Sequence, residues 1–444
     1  DSSLSGQTIN LTSGELDIID DLIIQNLSAE PVTIDAGGNS RIFNVDDGDN
    51  QSAIAVAIAG LTLTGGFASG NFPDNQGGGI FNREDLTLTD NTISGNSASN
   101  NGAGIANAGT LTLTASTVSG NAADSAGGGI YNLSDGTATL NNSIVSDNFA
   151  AQDGAGIANA GTLTLTSSTI TGNLATEDGG GIANSNTVNL TDSTISDNSA
   201  GGTGGGIASD GDVTFTNSTL SGNTADSFGG GIANDGNVSF VNSTMSGNAS
   251  ASSGGGLFNL GIAIVTNSTV SDNSAANNGG GLFNDEGGDD TLTLINSIVA
   301  NSITNGVAGG DLYNETGETL GTINASYSLI ESNADQINGI NTSNITGQDP
   351  QITPLQDNGG ATLTQALLAG SPAIEAGNNA QIPPDTFDLD GDGDVQEPIP
   401  FDQRGTGFDR LLNNTVDMGA VERQEVINPT VTLAITPTTG SEDN

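Results

Sequence analysis

Four carboxylates alternate with other residues over Asp388-Leu389-Asp390-Gly391-Asp392-Gly393-Asp394. Oxygen ligands at the first, third and fifth positions, with Gly at the sixth, form the first half of a calcium loop, because a hard divalent cation takes carboxylate and carbonyl oxygens. The bidentate Glu of the twelfth position is missing: Ile399 stands there, and Glu397 lies two residues earlier. The pattern therefore predicts a shorter, structural Ca²⁺ loop held by Asp388, Asp390, Asp392, Asp394 and Glu397. A cation would relieve the repulsion among these neighbouring carboxylates. The bland alternative is a solvated acidic loop.

Catalytic constellations are harder to assemble. The chain has no His, Cys or Lys, and its basic residues are Arg41, Arg83, Arg404, Arg410 and Arg423. General acid–base work would fall to carboxylates alone. A lyase acting on uronates needs a cationic base or clamp, and only Arg83 stands among the repeats described below. A glycosidase needs two facing carboxylates about 5 to 9 Å apart. Glu177 with Asp178, or Asp289 with Asp290, could contribute, but both pairs sit in variable loops where acids serve solubility. No catalytic residue is assigned, and a polysaccharide-degrading enzyme with paired carboxylates is the alternative reading.

With 52 acidic against 5 basic residues, the net charge is −47. Nucleic acid would be repelled, since phosphate binding needs Lys and Arg, and anionic membrane surfaces are excluded on the same ground. No stretch is apolar enough to span a bilayer, Ala53 to Leu63 being short and interrupted by Gly60. So negative a surface would recruit divalent cations.

The elements that must position any site follow from a repeat. An apolar residue after a small-residue run recurs at Ile80, Ile105, Ile130, Ile157, Ile182, Ile207, Ile232, Leu257 and Leu282, in steps of 25 residues except one of 27. Two residues later comes Asn82, Asn107, Asn132, Asn159, Asn184, Asn234, Asn259 or Asn284, with Ser209 the one substitute. A second asparagine column runs from Asn96 to Asn273, followed at two residues by a small side chain such as Ala98 or Ala123. Between the columns, runs such as Leu86-Thr87-Leu88-Thr89 alternate with the period of half-buried strands. A fixed period of this size means coils stacked one upon another. Each unit reads as three short strands, and parallel crossovers are right-handed. The fold predicted is all-β: a right-handed, single-stranded parallel β-helix, about 45 Å long for about ten rungs. Asn suits the bends because it tolerates left-handed backbone angles, and stacked carboxamides can bond along the axis.

The organisation predicted is an N-terminal cap with the first coils over 1–66, regular repeats over 67–318, an irregular region with the Asp-rich loop over 319–423, and a linker or start of a further β module over 424–444. Hydroxyl columns such as Thr92 and Ser94, Thr117 and Ser119, Thr169 and Thr171, Thr194 and Ser196 give a flat face that an ice- or mineral-binding solenoid would use. Exposed strand positions favour Thr and Ser in any case. Asn-Ser-Thr at Asn217, Asn242 and Asn267 matches a glycosylation acceptor, but the repeat accounts for it.

An ordered series in the C-terminal region carries a family resemblance. Asp349-Pro350, Asp357-Asn358-Gly359-Gly360-Ala361-Thr362-Leu363-Thr364, Gly370-Ser371-Pro372-Ala373-Ile374-Glu375-Ala376-Gly377-Asn378, Asp402-Gln403-Arg404-Gly405 and Val416-Asp417-Met418-Gly419-Ala420-Val421-Glu422 follow one another. This series resembles the C-terminal signature of bacterial choice-of-anchor Q β-helix proteins, and the Gly-Gly-Gly-Ile and Phe-Asn phrases are similar to repeats of polymorphic outer-membrane adhesins. The resemblance implies a secreted or cell-surface bacterial protein, structural or adhesive, without assured enzymatic activity. Its expected partners are surface or extracellular-matrix components, polysaccharide among them, with self-assembly through Ca²⁺. The tail from Pro429 to Pro437 resembles the opening strand of a Calx-β-like or immunoglobulin-like module.

Overall fold

Residues 105–123 show how the repeat becomes a coil. Four strands, Ile105–Asn107, Thr110–Thr114, Thr117–Ser119 and Ala122–Ala123, follow one another around the axis. In Thr110–Thr114 the leucines turn inward and the threonines outward, as a pleated strand with one buried face requires. The sequence predicted three strands per coil; the fourth is the two-residue strand at the small column, too short to show alternation. The computed structural model describes residues 4–49, 52–285, 290–308, 310–315 and 321–424.

Equivalent strands of successive coils pair in parallel and in register, as in Ile80↔Ile105↔Ile130↔Ile157. Among the described residues they form sheets of 14, 13, 11 and 12 strands, so the rod is about 60 Å long at the usual strand spacing. The two extra residues of the 27-residue step stay in the corner after Asn132, where the Gly136 N–H bonds the Leu133 carbonyl. The ladders pass this corner undisturbed. One apolar core runs the length of the solenoid from Ile18 to Ile330, including the stacked pair Phe215 and Phe240.

Each coil turns at left-handed corners. Gly102 (φ 65), Ala115 (φ 49) and Gly120 (φ 62) mark one coil, and Gly127, Asn142 and Asp147 the next. The left-handed positions are thus the first glycine of the triplet and the residues just before Ser116 and Asn121, or Ser143 and Asn148, and not the column asparagines themselves. Those asparagines point inward, are buried, and bond along the axis. Asn82 Nδ2 donates to Asn107 Oδ1 at 2.8 Å, and the same bond continues through Asn132, Asn159 and Asn184. In the second column each carboxamide oxygen accepts from the Asn before it, as Asn121 does from both the N–H and Nδ2 of Asn96. A third ladder, unforeseen in the sequence, is built of serines. The Ser143 N–H donates to Ser168 Oγ at 3.1 Å, and the chain of bonds runs on through Ser193, Ser218, Ser243 and Ser268. These ladders satisfy backbone groups that the corners remove from the sheets.

At the N-terminal end the expected first coils are present, with Val32–Asp35 and Ala55–Ala59 in the same ladders. No separate sealing element stands over them among the described residues, and Ile23 is 76% exposed. At the other end the coils outrun the boundary predicted at 318. Thr322–Ser326, Leu329–Ile330, Asn341–Thr342 and Ile345–Thr346 still extend the ladders. Among the described residues, the region beyond carries only isolated bridges and a 3₁₀ turn. The tail predicted to open a further β module lies outside the described residues.

Residues 350–422 double back along the solenoid and lie against the hydroxyl face of its later coils. Thr219 Oγ1 donates to the Leu363 carbonyl at 2.7 Å, Thr244 Oγ1 to Gln403 Oε1 at 2.5 Å, and Ser271 Oγ to Gln365 Oε1. Asn296 exchanges bonds with both main-chain groups of Asn378. An apolar seam of Ile298, Leu329, Leu367, Ala373 and Met418 closes the contact. The hydroxyl columns therefore divide. Thr92 and Ser94, Thr117 and Ser119, Thr169 and Thr171, Thr194 and Ser196 remain half-buried strand positions, whereas Thr219, Thr244 and Thr269 are covered. Asn217, Asn242 and Asn267 are buried, so a glycan could not reach them.

Candidate calcium loop and outer trough

The Asp-rich loop projects from the folded-back segment on a two-stranded stem. The Asp385 N–H bonds the Glu397 carbonyl (2.7 Å) and the Ile399 N–H bonds the Pro383 carbonyl (2.9 Å). Within the loop, carboxylates accept neighbouring N–H groups: Asp388 Oδ1 from Gly393, Asp390 Oδ1 from Asp392, and Asp392 Oδ1 from Asp394. Asp388, Gly391 and Gly393 take left-handed angles, which Gly accepts without strain.

Of the five predicted ligands, Asp388, Asp390 and Asp392 bring oxygens within 4.8 Å of one another, and Asp390 also joins Glu397. Asp394 belongs to neither group; its Oδ1 is turned to the Gln396 N–H. The second group has a member the sequence reading missed. Asp385 is buried, with Oδ2 accepting from the Leu389 N–H (2.8 Å) and Oδ1 without a donor. Glu397 Oε1 is likewise buried without a partner. The missed signal was a carboxylate three residues ahead of the motif, outside the spacing of the standard loop. Burial pushes the Asp385 carboxyl above its ordinary value, with Asp390 and Asp388 adding to it. Desolvation, then Asp392, Asp390 and Asp394, push Glu397 the same way. A third acidic group, Asp46, Asp47 and Glu84, is already engaged: both Glu84 oxygens accept backbone N–H groups and Asp46 pairs with Arg83.

Arg41, Arg404 and Arg410 serve structure. Arg41 is buried, bonds the carbonyls of Pro73, Gln76 and Gly77, and pairs with Glu15 at 3.2 Å. Arg404 pairs with Asp402 at 2.5 Å, and Arg410 lies 3.6 Å from Glu422. Both belong to the folded-back segment.

A trough runs along the outside of the ladder that holds Ile105–Asn107. Two adjoining hollows of about 610 Å³ and about 330 Å³ share Asp178, Ala208 and Asp210. The floor is the middle residue of each strand. It is Tyr131 at one end, Phe258, Phe283 and Tyr313 at the other, and Ala158, Ala183, Ala208 and Ala233 between. Phe258, Phe283 and Tyr313 stack with centroids 4.9 and 5.2 Å apart, and Phe228 tilts against Phe258 at 4.6 Å. Of the weighed carboxylate pairs, Asp178 lines the trough while Glu177 does not. Asp289 lies outside the described residues.

A family model described as the right-handed β-helix region matches residues 153–318. The solenoid is a right-handed parallel β-helix. Among solved structures, the crystal structure of pectate lyase Pel9A is similar over 95% of this chain and 88% of that one, at 14% identity and a TM-score of 0.38. No curated protein matches the sequence.

Proposed function

We propose that this chain is a structural and adhesive rod of a large secreted or cell-surface bacterial protein, of the choice-of-anchor Q kind that its C-terminal series resembles. The observation that supports it best is the unbroken register of the parallel ladders, reinforced by internal Asn and Ser ladders. Such a rod resists bending and holds neighbouring modules and surface ligands at a fixed distance. No helix among the described residues is long and apolar enough to cross a membrane.

Calcium stabilises this rod at the loop over 385–397. Six to eight oxygens at about 2.3–2.6 Å satisfy Ca²⁺. The loop gathers carboxylates in two groups that share Asp390, with two buried oxygens lacking donors. The stem runs directly into Phe401, whose carbonyl accepts from Asn242 Nδ2 at 2.7 Å, so ordering the loop secures the docked segment. Limited proteolysis is expected to cut between 385 and 399 at least several-fold faster in EDTA than in Ca²⁺, and Asp390→Asn should erase the difference. Identical cleavage in both buffers would remove calcium from this reading. Electron microscopy should show rods, and light scattering should show them associating through Ca²⁺ between acidic faces; a particle size unchanged by chelator would count against assembly.

The alternative, a polysaccharide-degrading enzyme, has one observation in its favour: Asp178 and Asp210 both line the trough. Turnover on a polysaccharide panel, abolished by Asp178→Asn, would establish it over the adhesive reading.

A further inference from the structure

Asp385 and Glu397 face each other at the neck of the Asp-rich loop. Pro384 and Pro398 form an antiparallel bridge, and on its loop side the Asp385 N–H bonds the Glu397 carbonyl at 2.7 Å. Residues directly opposite in such a pair send their side chains to the same face, with Cβ atoms about 4.5–5.5 Å apart, and like charges so placed repel. Burial sharpens the conflict. Asp385 is 1% exposed and its Oδ1 has no donor, and Glu397 Oε1 is buried without a partner as well. Asp390 completes a triad in which one oxygen of each residue lies within 4.8 Å of the other two. Among the described residues no arginine pairs with any of the three.

A second triad sits at the tip of the loop. Asp388, Asp390 and Asp392 each bring an oxygen within the same distance of the others. Each also turns one oxygen to a loop N–H, of Gly393, Asp392 and Asp394 in turn, which fixes the direction of the other. The triads share Asp390, but neither Asp385 nor Glu397 gathers with Asp388 or Asp392. A single cation therefore has no one position among all five carboxylates, and it would offset only two of their five charges. Two divalent ions offset four.

We propose that the loop binds two Ca²⁺ ions, an inner one at the neck on Asp385, Asp390 and Glu397 and an outer one at the tip on Asp388, Asp390 and Asp392. Asp390 bridges them, and carbonyls and water complete each shell. The inference deepens the calcium reading above and rests on it. The two ions do different work. The inner ion ties together the two strands of the stem, which leads to Phe401 and its bond from Asn242. The outer ion orders the tip alone.

The experiment counts Ca²⁺ by calorimetry on the whole chain, at enough salt to screen diffuse attraction to the acidic surface. Two ions per chain are expected for the parent, one for Asp385→Asn, one for Asp388→Asn, and none for Asp390→Asn. The first two variants remove the same charge and differ only in which triad loses it; Glu397→Gln repeats the test of the neck without touching Asp385. Trypsin gives a second readout. The chain has no Lys, so cleavage at Arg404 and Arg410 reports opening of the folded-back segment. In Ca²⁺, Asp388→Asn should stay as resistant as the parent, whereas Asp385→Asn and Glu397→Gln should be cut at least about fivefold faster, as the parent is in EDTA. One ion in the parent, lost alike in Asp385→Asn and Asp388→Asn, would overturn the two-ion proposal and leave the calcium reading standing. Two ions retained in both neck variants would overturn it as well, and no bound ion in the parent would remove both.

Discussion

Gly181→Val is expected to break the rod at one coil, destabilising it by about 4 kcal/mol or more, the range of severe backbone clashes. A Cβ at Gly181 would lie 2.6 Å from the Gly206 carbonyl oxygen and 3.0 Å from Asn198 Nδ2. The first is backbone of the next coil and cannot step aside, and the second belongs to the inner asparagine ladder. The chain contains its own control. At the middle of the triplet, Ala103 and Ala155 stand where Gly180 does, so their coils have adjusted to a methyl group; at Gly180 itself a Cβ would lie 2.4 Å from the Ser199 carbonyl oxygen, and a shift is needed there too. The third position is Gly in all nine coils from Gly79 to Gly281. Thermal melting should therefore show both Gly180→Ala and Gly181→Val below the parent, with Gly181→Val far the lower, because only the middle position has an alanine precedent. Equal melting of the two would mean that the coils are not stacked as closely as the ladders require.

At pH 9, where Glu422 is ionised, Arg410→Met is expected to release the folded-back segment, at a cost of about 3 kcal/mol, because removing one partner of a buried ion pair strands the other. Arg410 is buried, donates through Nη2 to the carbonyls of Asp417 and Gly419, and faces Glu422. Glu422 Oε1 accepts from the Asp417 N–H, and the Glu422 N–H donates to Asp402, so the knot spans residues 402 to 422. Proteolysis over 350–422 should accelerate in the variant, and Glu422→Gln in the same chain should recover part of the loss. If the double variant is no better than the single one, the pair is not what fixes the segment.

The same knot gives a pH dependence. Burial pushes the Glu422 carboxyl up to about 8, against the pull of Arg410, with Asp417 adding to the rise. A folded value above the ordinary 4.5 means that the folded state binds the proton more tightly. The stability this confers is complete below about pH 4.5 and is lost as pH rises through about 8. Cleavage of the segment should therefore be faster at pH 9 than at pH 6; the opposite order would contradict the assignment.

What could be read in advance followed the repeat. Ile105, Leu111, Leu113 and Val118 are core because their spacing recurs, and Asn107 and Asn121 form inner ladders because a stacked carboxamide is both donor and acceptor. Ser143 and Ser168 were not recognised as a third ladder, since a serine just before a strand looks like an exposed turn. The doubling back was invisible for another reason. Gln403 reaches Ser218 across 185 positions and Leu363 reaches Thr219 across 144, and no periodicity announces a contact made once. Asp385 was missed because the loop motif begins three residues after it. The outer trough depends on Ala replacing an aromatic at an outward position, where a single sequence gives no reason to weigh either residue.

The doubled-back segment also rules how the rod can change length. Upstream of Thr219, whole coils contact only their neighbours, so a unit could be gained or lost as a bead on a string. Between Asn217 and Ile298, Thr219, Thr244 and Ser271 each meet an assigned partner on the returning strap. Removing one coil there would shift every later tooth of this rack by a full pitch. Growth and shrinkage are therefore free on one side of the strap and gauged on the other.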